Sequence, residues 1–279
     1  RSNTAYGGEG TIFENLELKA DSSGYTPAIS FKDLSDQYLK LHSIHIKNSV
    51  VEGNIANSPS LTIENSTIGS ASAITNIEVI GDLTLTTGVT FGGDVNVTSP
   101  SSGYNSKNNN YTFDIEVDNN FTLTDIGRDD NVYYDERHGQ GNTFTFGSHA
   151  KIGNHATFNV DHSTMTFENG SVFEGTIKSG TNTNNFVIKA GATFNGTIEM
   201  ADAINNITIE DGAILGPNFH IVETNTESEA VNAKYDTLTL FNDIDFTNLD
   251  VKGLDQINIG TQARGEMINM DIVFDELNS

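Results

Sequence analysis

Met165-Thr166-Phe167-Glu168-Asn169-Gly170-Ser171-Val172-Phe173-Glu174-Gly175-Thr176-Ile177 is echoed, at position i+21, by Phe186-Val187-Ile188-Lys189-Ala190-Gly191-Ala192-Thr193-Phe194-Asn195-Gly196-Thr197-Ile198. A third copy opens at i+42 with Ile207-Thr208-Ile209, and Phe144-Thr145-Phe146 stands at i−21. The register holds inside each unit, because Gly170, Gly191 and Gly212 coincide, followed by Ser171-Val172-Phe173, Ala192-Thr193-Phe194 and Ala213-Ile214-Leu215. Thr176-Ile177, Thr197-Ile198 and Asn218-Phe219 close the units. Apolar and polar residues alternate over short runs cut by Gly or Asn, which is the period of strands with one buried face; the 3.6 period of a helix is missing. A repeat of three short strands joined by tight turns is one rung of a solenoid. The expected fold is therefore all-β, a single-stranded right-handed parallel β-helix of about 21 residues per rung with protruding loops, its hand taken from precedent for the fold.

Parallel stacking at about 4.8 Å places residue i over residue i+21. The spacing predicts inward ladders Phe146/Phe167/Ile188/Ile209, Phe173/Phe194/Leu215 and Ile177/Ile198/Phe219. Outward columns would be Glu168/Lys189/Glu210 and Lys178/Glu199/His220, with Asn184/Asn205 and Asn185/Asn206 stacked through their amides. Gly170, Gly191 and Gly212 are expected at left-handed corners, where a Cβ is disfavoured.

Outside residues 144–221 the period loosens but the texture persists, in Leu16-Glu17-Leu18, Ile44-His45-Ile46, Leu61-Thr62-Ile63, Leu83-Thr84-Leu85, Val95-Asn96-Val97, Phe121-Thr122-Leu123, Leu238-Thr239-Leu240 and Ile257-Asn258-Ile259. Residues 1–279 then form one continuous β-helix segment of a larger secreted protein, with roughly ten or eleven rungs and a length near ~50 Å. Lys32 to Leu41 reads as a short helical turn or a loop. Three polar, turn-rich interruptions, residues 99–110, 127–142 and 222–236, are expected to protrude as loops.

The runs Lys189-Ala190-Gly191-Ala192-Thr193-Phe194-Asn195-Gly196-Thr197-Ile198 and Glu168-Asn169-Gly170-Ser171-Val172-Phe173-Glu174-Gly175-Thr176-Ile177 resemble the Gly-Ala-Thr-x-x-Gly-Thr repeats of bacterial autotransporter passenger domains and of filamentous haemagglutinin-type adhesins. The resemblance is clear over about a quarter of the chain. It implies an extracellular Gram-negative protein displayed at the cell surface as an adhesin, autoaggregation factor or toxin stalk, and continuous with an outer-membrane β-barrel domain outside this chain. Its partners would be a host-cell or bacterial surface protein or glycan. The Gly-Asp-Ser-Gly nucleophile motif of the protease branch has no counterpart in the sequence.

Composition agrees with that reading. Of 279 residues, 38 are acidic and 14 basic, giving a net charge of −24, which argues against nucleic acid and anionic membranes as partners. No run approaches the ~20 apolar residues of a spanning helix, so no membrane insertion by this segment is expected. The opening Arg1-Ser2-Asn3-Thr4-Ala5-Tyr6 reads as the start of a mature or excised segment. With no Cys, disulfides and thiolate chemistry are excluded.

Catalysis is not expected. The alternative is a polysaccharide-active β-helix lyase or hydrolase, whose carboxylates would be Asp243 and Asp245, or Asp129 and Asp130 beside Arg128. An Asp-x-Asp pair shares one strand face, but acidic side chains abound here and a solvated face accounts for it. The absence of Trp also removes the usual sugar platform. A third reading is a structural stalk of a toxin or surface-layer protein. No cofactor is expected; calcium is the one cation the acidic surface suggests, through Asp129, Asp130, Asn131, Asp135 and Glu136, although that loop matches no known calcium motif. The seven His are scattered and do not suggest zinc. Asn96 and Asn120 sit in chance-level matches to the extended bacterial N-glycosylation acceptor. The candidate ligand-binding residues are Tyr133, Tyr134, Asp135, Arg137 and His138 in loop 127–142, where adjacent aromatics are mixed with adaptable polar groups. Tyr104 in loop 99–110 is a weaker second.

Overall fold

A computed structural model of the chain describes residues 10–19, 28–30, 43–98, 109–125, 141–180, 183–201, 204–223, 236–241, 250–251, 254 and 256–259. Among them every regular element is a strand. The strands stack into a parallel β-helix with three faces. The long face has eleven strands, running in chain order from Thr11–Glu14 to Gln256–Ile259, and a second face has ten, from Ile29–Ser30 to Asp250–Val251. The third, short face is split into a stack of four, ending at Thr90–Phe91, and a stack of five, beginning at Glu116–Val117. At that break the Asn119 side chain donates to the Phe91 carbonyl at 2.8 Å, so an amide carries part of what the ladder lacks. Ten steps of ~4.8 Å make the long face about 48 Å tall.

The predicted ladders form where the repeat holds. Phe146 pairs with Phe167, Phe167 with Ile188 and Ile188 with Ile209. Phe173, Phe194 and Leu215 stack likewise. Inward positions are closed to water along the rod, from Ile44 and Ile46 to Leu238 and Leu240. Gly170, Gly191 and Gly212 have φ of 88°, 76° and 82°, the left-handed corner expected of them. Each is the third residue of a turn closed by a hydrogen bond, such as Ser171 N–H to the Glu168 carbonyl at 2.9 Å. The outward Lys189 meets Glu168 at 2.7 Å and Lys178 meets Glu199 at 3.1 Å.

The period loosens outside the repeat, as expected, and two expected columns fail at their ends. On the long face the spacing of 21 holds only from Phe144 to Ile207; between strand partners there it runs from 17, as from Ile44 to Leu61, to 33, as from Tyr111 to Phe144. The third ladder and the second outward column also break at their last member. Ile198 pairs with Ile221, not Phe219, and Glu199 pairs with Val222, while His220 stands beside Thr197. Two extra residues between Leu215 and His220, where Phe194 and Thr197 are joined by Asn195-Gly196 alone, shift the register. Phe219 is still buried, and its ring meets Phe194 edge-on at 5.7 Å.

The edges of the three expected loops are also part of the rod. Asn109, Asn142 and Asp236 are buried, Asn110 and Asn142 begin strands, and Val222 and Glu223 end one. Residues 99–108, 126–140 and 224–235, and the segment from Lys32 to Leu41, lie outside the described residues.

Candidate functional site: a stepped corner

A buried polar column runs along one edge of the largely apolar interior. Asn109, Asn142, Ser163, Asn184, Asn205 and Asp236 occupy successive rungs at the start of the long-face strands. The Asn109 N–H donates to Asn142 Oδ1 at 2.9 Å, the Ser163 N–H to Asn184 Oδ1 at 3.1 Å and the Asn184 amide to Asn205 Oδ1 at 3.4 Å. Asp236 ends the column by accepting from the Asn205 N–H at 2.7 Å and its side-chain amide at 3.1 Å. Burial without partners would be unfavourable, and here each group is bonded to the rung beside it. This column is scaffold. Asn142 and Ser163 continue the 21-residue spacing of Asn184 and Asn205, a signal the sequence carries, whereas Asn109 and Asp236 sit at loop edges where no regular spacing announces them.

Surface chemistry gathers instead where the short face turns into the second face. Across this corner Phe173 and Gly175 are separated by Glu174 alone, and Phe194 and Gly196 by Asn195 alone. The rung on one side has three residues at the same place, Gly153-Asn154-His155, and the rung on the other side has Gly216-Pro217-Asn218. Two tight corners between two wide ones leave a recess about two rungs, or ~10 Å, along the rod. Its volume is about 310 Å³, and Asn154, Glu174, Asn195, Gly196, Thr197, Asn218 and His220 line it. The tight corners depend on glycine, since a Cβ on Gly196 would lie 2.3 Å from the Gly175 carbonyl oxygen. The Asn195 amide donates to Glu174 at 3.3 Å and its oxygen accepts from the Asn218 N–H at 2.9 Å, so the floor is pre-ordered.

The same corner carries a second hollow of about 440 Å³, below the bulge from Gly69 to Ile74, with Gly92, Gly93, Asp94 and Asn119 opposite. Its walls are small side chains and the exposed Ile74.

Elsewhere the carboxylate of Asp114 is held by the His149 N–H at 2.8 Å, the His149 ring at 3.0 Å and the Thr87 hydroxyl at 3.2 Å. Burial alone would raise its pKa; these three bonds and the imidazole charge overcome that and hold the carboxyl below its ordinary 3.8. His45 similarly meets Glu64 at 3.0 Å. Both pairs join neighbouring rungs, partners that chain spacing did not reveal. Among the described residues no group of three or more His, Asp or Glu could hold a metal ion.

Of the residues singled out from sequence, Tyr133, Tyr134, Asp135, Arg137 and His138 lie outside the described residues, as do Tyr104, Arg128, Asp129, Asp130, Asn131, Glu136, Asp243 and Asp245. The two asparagines of the glycosylation-like matches are engaged within the rod: Asn96 donates to Asn76 at 3.3 Å and Asn120 to Asp94 at 3.1 Å. No helix among the described residues is long and apolar enough to cross a membrane. No protein-family model, curated protein or solved structure matches the chain.

Proposed function

We propose that the chain is a non-enzymatic, surface-displayed passenger segment of the autotransporter-adhesin type, extracellular and continuous with an outer-membrane β-barrel domain. It attaches cells to a host or bacterial surface protein or glycan. The observation that carries the reading is the eleven-strand parallel face, whose inward side chains are apolar in nearly every rung while charged and amide columns face outward. Such a stack is stiff because each rung is bonded to both neighbours along its length, and it needs only its own repeats to hold groups far from an anchor. The acidic surface keeps the rod soluble and apart from anionic membranes.

The test is binding of the purified chain to an array of host glycans and matrix proteins, with and without calcium, beside a variant lacking residues 127–140, which leaves the buried Asn142 in place. Specific binding is expected. A silent array, with the circular dichroism of an intact β-rod, would leave a stalk without a ligand and overturn the attachment reading.

A further inference from the structure

We infer that the recess at the stepped corner is a binding site for a neutral saccharide. This inference rests on the attachment reading and gives it a place and a ligand class. The recess exists because of corner lengths. Glu174 and Asn195 span their turns as single residues, and the flanking Gly153-Asn154-His155 and Gly216-Pro217-Asn218 project past them as walls. At about 310 Å³ it is at the small end of ligand-binding clefts.

The lining chooses among ligand charges. It has no Lys or Arg, and in the neighbouring outward column Lys151 is paired with Glu116 at 3.6 Å, so nothing attracts an anion into a chain of net charge −24. It has one carboxylate, Glu174, whereas a hard cation takes six to eight oxygens. What remains is a mixture suited to hydroxyl groups, which both donate and accept. Glu174 accepts, Thr197 and His220 can do either, and the amides of Asn154 and Asn218 offer both at opposite walls. Beside this polar row, the outward column of the short face carries Val172, Thr193 and the exposed Ile214 in register. A polar row flanked by the aliphatic side chains of Val172 and Ile214 matches a sugar ring, which has hydroxyls at its rim and C–H groups on its face.

The pre-ordered floor supports the same use. Asn195 is fixed by Glu174 on one side and Asn218 on the other, so binding would order few further groups. The outward side chains of Glu174 and Asn218 are exposed and leave the core untouched when changed.

The experiment is calorimetric titration of the full chain with cellohexaose, chitohexaose and mannohexaose, with a heparin-derived hexasaccharide and calcium chloride as charged probes. At least one neutral hexasaccharide is expected to bind, with affinity reduced ten-fold or more in Glu174→Ala and in Asn218→Ala, and unchanged in a variant lacking residues 127–140, which keeps Asn142 in its strand. Both point variants should melt within a few degrees of the parent. The inference is overturned if no neutral hexasaccharide binds, if binding ignores both point substitutions, or if heparin or calcium alone takes the site in their place. Array binding lost only with residues 127–140 would sink the recess and spare the attachment reading; a silent array would end both.

Discussion

Rungs 43–98 and rungs 141–223 build the same cross-section from different residues. In the first stretch the inward positions are aliphatic, among them Ile44, Ile46, Leu61, Ile63, Leu83 and Leu85. In the second, eight buried phenylalanines join the aliphatic side chains: Phe146 stacks on Phe167 at 4.7 Å and 4°, and Phe173 on Phe194 at 5.0 Å and 20°. The change takes one rung, where Leu83 and Leu85 pair with Tyr111 and Phe113. The turn after the long face changes too. Asn15, Asn48 and Asn65 take the left-handed conformation, with φ of 56°, 48° and 49°. Behind them Ser49 and Ser66 stack, the Ser49 N–H donating to the Ser66 hydroxyl at 3.0 Å. In the later rungs a longer turn with Gly takes over. Parallel stacking therefore demands that each inward column stay apolar, and leaves open which residue type fills it. Like side chains fit because the next rung repeats the same backbone about 4.8 Å away, whatever their chemistry.

The widest gap between the two stretches should appear in the cores. Phe167 touches the rings of Phe146, Phe173 and Phe194, so Phe167→Ala removes a whole stack and is expected to destabilise by about 4 kcal/mol. Ile63→Val, in the aliphatic stretch, should cost only about 1 kcal/mol, because one methylene leaves a small void. Urea unfolding followed by far-ultraviolet circular dichroism measures both, and equal losses would erase the distinction.

The polar column sharpens the contrast next. It occupies the later rungs, while Pro59 and Gly81 hold the corresponding place in the earlier ones. Asn205→Ala removes the side-chain amide from the Asp236 carboxylate, which keeps the backbone N–H of residue 205, and removes the oxygen that accepts from the Asn184 amide, so a loss of about 2 kcal/mol should follow. Hydrogen exchange would show faster opening concentrated in the neighbouring strands; unaltered protection there would mean that the column contributes nothing net.

The corners should give the smallest effect. Gly191→Ala puts a Cβ at φ 76° and 2.6 Å from Asn169 Oδ1, for about 1 to 2 kcal/mol. Asn65→Gly should change stability by a few tenths, exchanging one tolerated left-handed residue for another and losing its exposed bond to Asn48 at 3.1 Å. A melting temperature for Gly191→Ala equal to the parent's would show that the glycine corner is not required.

The period, the inward faces, the stacked columns of residues 144–209 and the glycine corners are all legible in the amino-acid sequence. Those features are local or recur at fixed spacing, so alternation and subtraction suffice to find them. Tertiary structure decided what happens where spacing fails. Long-face rungs keep their register while their spacing runs from 17 to 33, because extra residues leave the stack at the corners and backbone hydrogen bonds hold the faces together. That is why Phe219 lost its place to Ile221, and why Asn109 and Asp236 belong to the buried column. The stepped recess has the same origin. Glu174 and Asn218 are far apart in the chain, and only the difference in corner length between adjacent rungs puts them on either side of one hollow.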